Sequence, residues 1–293
     1  MKTFVLFALA LLVTADLMAA DYPKPTLLVE PAELAKPDIA KQYVILDARE
    51  RIKYEGTHIP GAVWVDHAAW SKAFGNGDDT KGWTQRIAAL GLDNTSKVVV
   101  YDDNMSKDAA RIWWILRYWG LNDVSLLNGG WSNWTQDGRL LQKDGTTPPL
   151  PGSFVAQPVS KRLATKKSLL DSLTKPGLQI VDTRSEGEFC GTEKMTNKRA
   201  GAIPGAKHLE WSDLLDKDTK RFKTAEQMRK LFGDAGIALD QPTATHCQGG
   251  GRASVMAFGL ELMGVKDVSN YYKSWGEWGN ADDTPVVPGK PKN

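Results

Sequence analysis

Short apolar runs alternate with longer apolar stretches along most of this chain. Val44-Ile45-Leu46 and Ile180-Val181 are too short for helices, and each ends in Asp-x-Arg, as Asp47-Ala48-Arg49 and Asp182-Thr183-Arg184. Lys97-Val98-Val99-Val100-Tyr101 is a third β-branched run, followed by an apolar stretch of helical length from Ala109 to Tyr118. Pro242-Thr243-Ala244-Thr245-His246 reads as another strand, and Ala253 to Met263 as the helix after it. Buried strands alternating with helices predict an α/β fold of parallel sheets with helices on both faces. Ligands of such folds sit beyond the carboxyl ends of the strands, in the strand-to-helix loops.

The pattern occurs twice. His58-Ile59-Pro60-Gly61-Ala62 follows the first Asp-x-Arg, and Ala202-Ile203-Pro204-Gly205-Ala206 follows the second. The aspartates are 135 positions apart (182 − 47) and the prolines 144 (204 − 60), so the second copy carries a nine-residue insertion between them. Further on, Gly120 to Ser125 with Trp131 and Trp134 matches Gly264 to Ser269 with Trp275 and Trp278, again 144 apart. Four blocks in one register establish a duplication. Between the copies, Lys143 to Gly152 holds three prolines and two glycines and can continue neither a helix nor a central strand. The expected organisation is a first domain over 21–147, a linker over 148–159 and a second domain over 160–293.

Residues 1–20 carry a different pattern. Lys2 precedes an unbroken apolar stretch from Phe4 to Val13, and Ala19-Ala20 supply small residues at the end. This is the layout of a secretory signal peptide, which predicts export, periplasmic or secreted, with no membrane attachment after cleavage. A retained anchor is the alternative, but the apolar stretch is well short of the ~20 residues that span a bilayer.

Composition narrows the classes of function. Eleven Trp in 293 residues suit a large core, and a formal net charge of +2 gives no field to hold nucleic acid or anionic membrane. There are only two Cys and four His, at spacings that make no metal site, so no structural metal is expected. For an exported chain, a Cys190–Cys247 disulfide is one reading of the pair.

The surroundings of Cys247 suggest another. Strand 242–246 ends in His246-Cys247-Gln248-Gly249-Gly250-Gly251-Arg252, and then a helix begins. Glycines let successive backbone N–H groups turn inward as an anion-binding nest, and the helix start and Arg252 add positive charge. Each favours the nucleophilic thiolate of Cys247, and the same donors would hold an anionic substrate or a persulfide.

Taken together, the Asp-x-Arg strand ends, the Ile-Pro-Gly-Ala turns, the Cys-led glycine loop and the closing Ser274-Trp275-Gly276-Glu277-Trp278 resemble the rhodanese family, tandem-domain thiosulfate sulfurtransferases in particular. The resemblance covers nearly all of the chain beyond residue 20. It implies a catalytic Cys at the start of a six-residue loop, here Cys247 to Arg252, and a first domain without activity. Asp102 stands near the matching position of the first copy, one residue off the 144 register, and a carboxylate cannot carry sulfur.

The implied chemistry is ping-pong transfer from a small-molecule donor to an acceptor such as cyanide or a thiol. A protein thiol is a possible acceptor. Gln248, Gly249, Gly250, Gly251, Arg252 and Arg184 are the expected donor-binding residues, with a structural ion pair to Asp182 as the other reading of Arg184. The loop is neither the Cys-Arg-Lys-Gly form of animal thiosulfate enzymes nor the Cys-Gly-Ser-Gly form of mercaptopyruvate enzymes. Glu188 stands where those relatives place a second arginine, and is expected to repel a dianion. Two other functions stay open, a cysteine phosphatase and a non-enzymatic sulfur carrier. Phosphatase loops place five residues between Cys and Arg, whereas four intervene here. Cys190 is expected in a loop on the side of the sheet where Cys247 lies.

Overall fold

The computed structural model describes residues 22–143, 149–175 and 177–290. The expected signal segment and part of the expected linker lie outside the described residues. Among the described residues, nine strands form two parallel sheets. The first contains β1 (Leu28–Val29), β2 (Val44–Asp47), β3 (Val63–Trp64), β4 (Val98–Tyr101) and β5 (Val124–Leu127), in the order β1-β5-β4-β2-β3. The second contains β6 (Gln179–Asp182), β7 (Lys207–His208), β8 (Thr243–His246) and β9 (Val268–Asn270), in the order β7-β6-β8-β9. Equivalent strands pair alike: Asp47 lies opposite Tyr101 and Asp182 opposite His246. A lone parallel bridge from Leu163 to Asn270 stands where β1 would be in the second sheet.

Strand residues point alternately to opposite faces, and here both faces are covered. Leu28, Leu46, Val98, Val100 and Leu126 enter one apolar cluster, while Val29, Ile45, Val99, Tyr101 and Leu127 enter another on the opposite face. The first of these clusters does not stop at the domain boundary. It continues into Val181, Leu214, Met228 and Phe258 of the second copy.

The join is made by two equivalent helices, Lys107–Tyr118 and Gly251–Leu262, which pack against each other. Trp113 meets Phe258 edge-on, ring centroids 5.1 Å apart. Apart from Arg252, every residue of Gly251–Leu262 is buried, as expected of a helix apolar all round. The later part of the expected linker packs along the first domain. Phe154 is buried, and Gly152, Phe154, Gln157 and Val159 donate N–H bonds to Ala88, Leu92, Trp119 and Tyr118 of the first domain.

Asp-x-Arg has one architectural job in both copies. Arg49 Nη2 lies 2.6 Å from Asp47 and 2.7 Å from the Thr57 carbonyl oxygen, with its guanidinium 3.7 Å from the Trp131 ring centre. Arg184 Nη2 lies 2.6 Å from both Asp182 and the Gly201 carbonyl oxygen, with its guanidinium 4.2 Å from the Trp275 ring centre. The repeated arginine and tryptophan blocks recur together because they touch.

One buried charge cluster crosses the boundary. Glu261 takes Arg162 at 2.5 Å and Arg117, from the first domain, at 3.5 Å. Breaking a buried pair by removing one partner leaves a charge uncompensated. Glu261→Gln should therefore cost about 3 kcal/mol of stability, read from urea unfolding midpoints. The double change Glu261→Leu with Arg162→Met should recover part of that loss, since the closer pair leaves together and only the more exposed Arg117 keeps an unmatched charge.

Candidate active site

Strand β8 ends at His246 and delivers Cys247 into the turn that leads to helix Gly251–Leu262. The three glycines serve three different ends. Gly250 has φ +82°, and a Cβ on it would fall 2.7 Å from the Tyr272 ring. A Cβ on Gly251 would lie 2.4 Å from Nη2 of Arg111, a first-domain residue. Gly249 is exposed, and a Cβ there would meet nothing within 4 Å, so this side of the loop is open to a small molecule.

Cys247 itself is buried. Ser274 Oγ stands 3.9 Å from its sulfur, accepts its backbone N–H at 3.0 Å and donates to the Tyr271 carbonyl oxygen at 2.7 Å. The N–H groups of Trp275 and Gly276 bond the carbonyl oxygens of Cys247 and Gln248 at 2.9 and 3.0 Å. The loop is thus held from behind by its carbonyl groups. Among the described residues, the N–H groups of Gln248, Gly249, Gly250 and Gly251 find no protein acceptor. That leaves them free to bind a negatively charged atom.

The first domain offers an internal comparison. There the equivalent turn wraps the Asp102 carboxylate, which accepts N–H bonds from Asn104, Ser106, Asp108 and Ala109 at 2.8–3.0 Å. Burial raises the Asp102 pKa to about 6 against the pull of those donors. The chain's own carboxylate fills this cradle, and no nucleophile stands in it.

The predicted donor-binding side chains behave differently from one another. Arg252 makes a two-pronged ion pair with Glu188, at 2.6 and 2.9 Å. Burial opposes both charges, yet the pair prevails, raising the Arg252 pKa and lowering that of Glu188. Glu188 therefore acts on the loop by neutralising Arg252, where the sequence suggested only direct repulsion. Arg184, expected as a donor-binding candidate, is 1% exposed and turned onto Asp182 and the Trp275 ring. Its geometry corresponds to the structural ion pair, and a guanidinium so enclosed offers no face to a ligand.

Gln248 has its amide locked in a reciprocal pair with Asn197, at 2.9 and 3.0 Å. Asn280 donates to the same Asn197 oxygen at 3.0 Å. Asn197 falls between Arg184 and Ala202, the stretch that carries the nine-residue insertion, so that insertion reaches back and clamps the loop. His246 is wholly buried with neither ring nitrogen hydrogen-bonded. Burial pushes its pKa down to about 4 despite Asp182 at 3.5 Å, so the contact is not an ion pair at neutral pH. Both cysteines are free, and Cys190 ends the short helix Glu186–Cys190 where a loop was expected. Burial, then Glu186, raise its pKa.

Sequence reasoning missed Asn197, Ser274 and Arg111. The repeat carried a signal for two of them, since the insertion is specific to the second copy and Ser274 opens a repeated Trp block. Arg111 had none, because it reaches the loop from the other domain, donating to the Gly249 carbonyl oxygen at 2.9 Å.

Tandem parallel α/β domains with helices on both faces define the fold class. The model of the rhodanese-like domain matches residues 30–137 and 165–281, and the chain belongs to that family. A thiosulfate sulfurtransferase of Pseudomonas aeruginosa is 31% identical over 267 residues, 89% of this chain and 96% of its own. That of Cricetulus griseus is 32% identical over 78% of this chain and 79% of its own. A 3-mercaptopyruvate sulfurtransferase of Escherichia coli is 30% identical over 95% and 98%. Among solved structures, an anaerobic ergothioneine biosynthesis enzyme of Chlorobium limicola, bound to trimethyl histidine, superposes with a TM-score of 0.79. At 23% identity over 92% of this chain and 72% of that one, it shares the fold.

The Glu188–Arg252 pair gives a pH-dependent prediction. A carboxylate with a folded-state pKa below its unfolded value adds stability above the unfolded value, which is lost as pH falls through the folded one. Glu188→Gln should cost about 1.5–3 kcal/mol at pH 7, the worth of a charged hydrogen bond. In urea unfolding, the gap to the parent protein should close as pH falls below the ordinary glutamate value of 4.5.

Proposed function

We propose that the protein moves a sulfane sulfur from thiosulfate, or a related inorganic donor, to a thiophilic acceptor through a persulfide on Cys247. The observation that carries this reading is the pairing of one thiol with a ring of backbone N–H groups that no protein acceptor occupies. Rhodanese-family membership and the thiosulfate sulfurtransferases among its relatives support it.

In the first step the Cys247 thiolate attacks the outer sulfur of thiosulfate. A new S–S bond forms, the donor's S–S bond breaks, and its electron pair leaves with sulfite. The persulfide carries one negative charge, which the N–H groups of Gln248 to Gly251 are suited to hold. In the second step cyanide or a thiolate attacks the terminal sulfur, and the electron pair of the Cys247–S bond returns to Cys247 as thiolate. Neither step needs a metal or an organic cofactor. A protein thiol could serve as acceptor in the same way; multiple turnover with a small acceptor distinguishes the enzyme from a carrier that unloads only onto a docked protein.

The phosphatase reading is weakened by the short loop and by Arg252, whose guanidinium is turned onto Glu188. Thiosulfate is preferred to 3-mercaptopyruvate because the loop lacks the Gly-Ser pair expected for mercaptopyruvate enzymes. The test is a panel of thiosulfate, 3-mercaptopyruvate, polysulfide and a phosphate ester under matched conditions. Thiosulfate or polysulfide should be the best donor, and ester hydrolysis at a comparable rate would overturn the reading. Cys247→Ser should abolish both transfer and the added mass of one sulfur atom seen after donor treatment; transfer persisting above a few per cent would remove Cys247 from its role.

We also propose export with removal of the first ~20 residues, on the layout of Lys2, Phe4 to Val13 and Ala19-Ala20. Among the described residues, no helix is long and apolar enough to cross a membrane. Intact mass of the native protein should show a chain beginning near Asp21, and retention of Phe4 would refute cleavage.

A further inference from the structure

The charge around the Cys247 loop is not where the sequence puts it. Arg252 is neutralised by Glu188 and Arg184 by Asp182. A third guanidinium reaches the loop from the first domain. Arg111, on helix Lys107–Tyr118, donates from Nη1 to Ser71 Oγ at 2.7 Å, to the Gly249 carbonyl oxygen at 2.9 Å and to Tyr272 Oη at 2.9 Å. All three partners are neutral, and among the described residues no carboxylate pairs with Arg111. Its positive charge at the loop is therefore uncompensated.

Position and rigidity point the same way. Nη2 lies against Gly251, the first residue of the second-domain helix. All three hydrogen bonds run from Nη1, which leaves the N–H groups of Nη2 and Nε without an acceptor among the described residues. The neighbouring face of Gly249 is open, and Arg111 is only partly buried. The Tyr272 ring, 5.5 Å from the guanidinium, is itself stacked on Trp114 and packed on Phe74, so the charge is held in place before any ligand arrives. A fixed, unpaired guanidinium with free donors suits the oxygens of a small oxyanion.

We propose that Arg111 is the donor-recognition residue of this site. It binds the anionic oxygens of a thiosulfate-class donor from across the domain boundary and so aims the donor's outer sulfur at Cys247. The proposal rests on the sulfur-transfer reading for its substrate, though the anion site itself does not. The domain without a nucleophile thereby sets selectivity for anionic over uncharged donors.

The test uses the full chain with Arg111→Gln and Arg111→Lys, each checked for a melting temperature near the parent's. For Arg111→Gln, the KM for thiosulfate should rise about tenfold or more with kcat within about threefold, as for a lost charge-assisted hydrogen bond. Arg111→Lys should recover part of the loss. A second measurement is independent of sulfur chemistry: the rates at which iodoacetate and uncharged iodoacetamide alkylate Cys247. Their ratio should fall about tenfold in Arg111→Gln, corresponding to about 1.4 kcal/mol, and stay near the parent value when the neutral pair is removed whole, as Glu188→Gln with Arg252→Gln. If both reagents slow equally, or neither changes, Arg111 is merely a brace and the proposal fails. If the parent transfers no sulfur from any donor while the ratio still depends on Arg111, the anion site stands and the sulfur-transfer reading fails. If transfer proceeds with KM and ratio both indifferent to Arg111, this inference alone falls.

Discussion

Backbone N–H groups withdrawn from water require an acceptor, and a turn that gathers several of them at one point requires a negative one. Both copies of this fold build such a turn where a parallel strand passes into the central helix. In the first copy the requirement is met from within, since four N–H groups close on Asp102. In the second it is left open, with a thiol at the edge and no acceptor in the ring among the described residues. The same constraint yields a filled brace around Asp102 in one domain and, on the proposed reading, a reactive site at Cys247 in the other.

Charge obeys a second constraint. A buried guanidinium is costly unless paired, and this chain pairs Arg49, Arg184 and Arg252 with the carboxylates of Asp47, Asp182 and Glu188. Arginine near the loop is therefore no guide to positive potential at the loop. The pairs in the repeated blocks explain the duplication's own pattern, because Arg49 stacks on Trp131 and Arg184 on Trp275. Asp-x-Arg and the Trp block are two halves of one contact.

This marks where the sequence was legible. Strand runs, helix runs and the duplication follow from periods of 2 and 3.6 and from local turn chemistry, so the parallel α/β domains and the place of Cys247 were readable from the chain. Arg184 carried two readings, donor contact or ion pair to Asp182, because residue type shows a charge but not which way its side chain turns. Glu188 was recognised as unfavourable to a dianion, yet its route through Arg252 depends on a contact across 64 positions. The glycines read as one nest, whereas Gly250 answers to Tyr272, Gly251 to Arg111, and Gly249 to nothing in the protein. Asn197 and Arg111 act through pairings made only when an insertion folds back, or when two domains meet.

That meeting makes the first domain part of the site. One apolar cluster runs through helices Lys107–Tyr118 and Gly251–Leu262, so the second helix, apolar on nearly every side, has no solvent-compatible face without its counterpart. The loop at its start is gripped from three directions: the Ser274–Gly276 backbone behind, the Asn197 amide on Gln248, and Arg111 on the Gly249 carbonyl. Only one of these grips comes from the first domain, and it alone brings unbalanced charge. A change in the packing of Trp113 on Phe258 would move Arg111 relative to Gly249 and Gly251, because both groups ride on the helices that this contact joins. Stability at the interface and electrostatics at the thiol are thus coupled through two rigid helices.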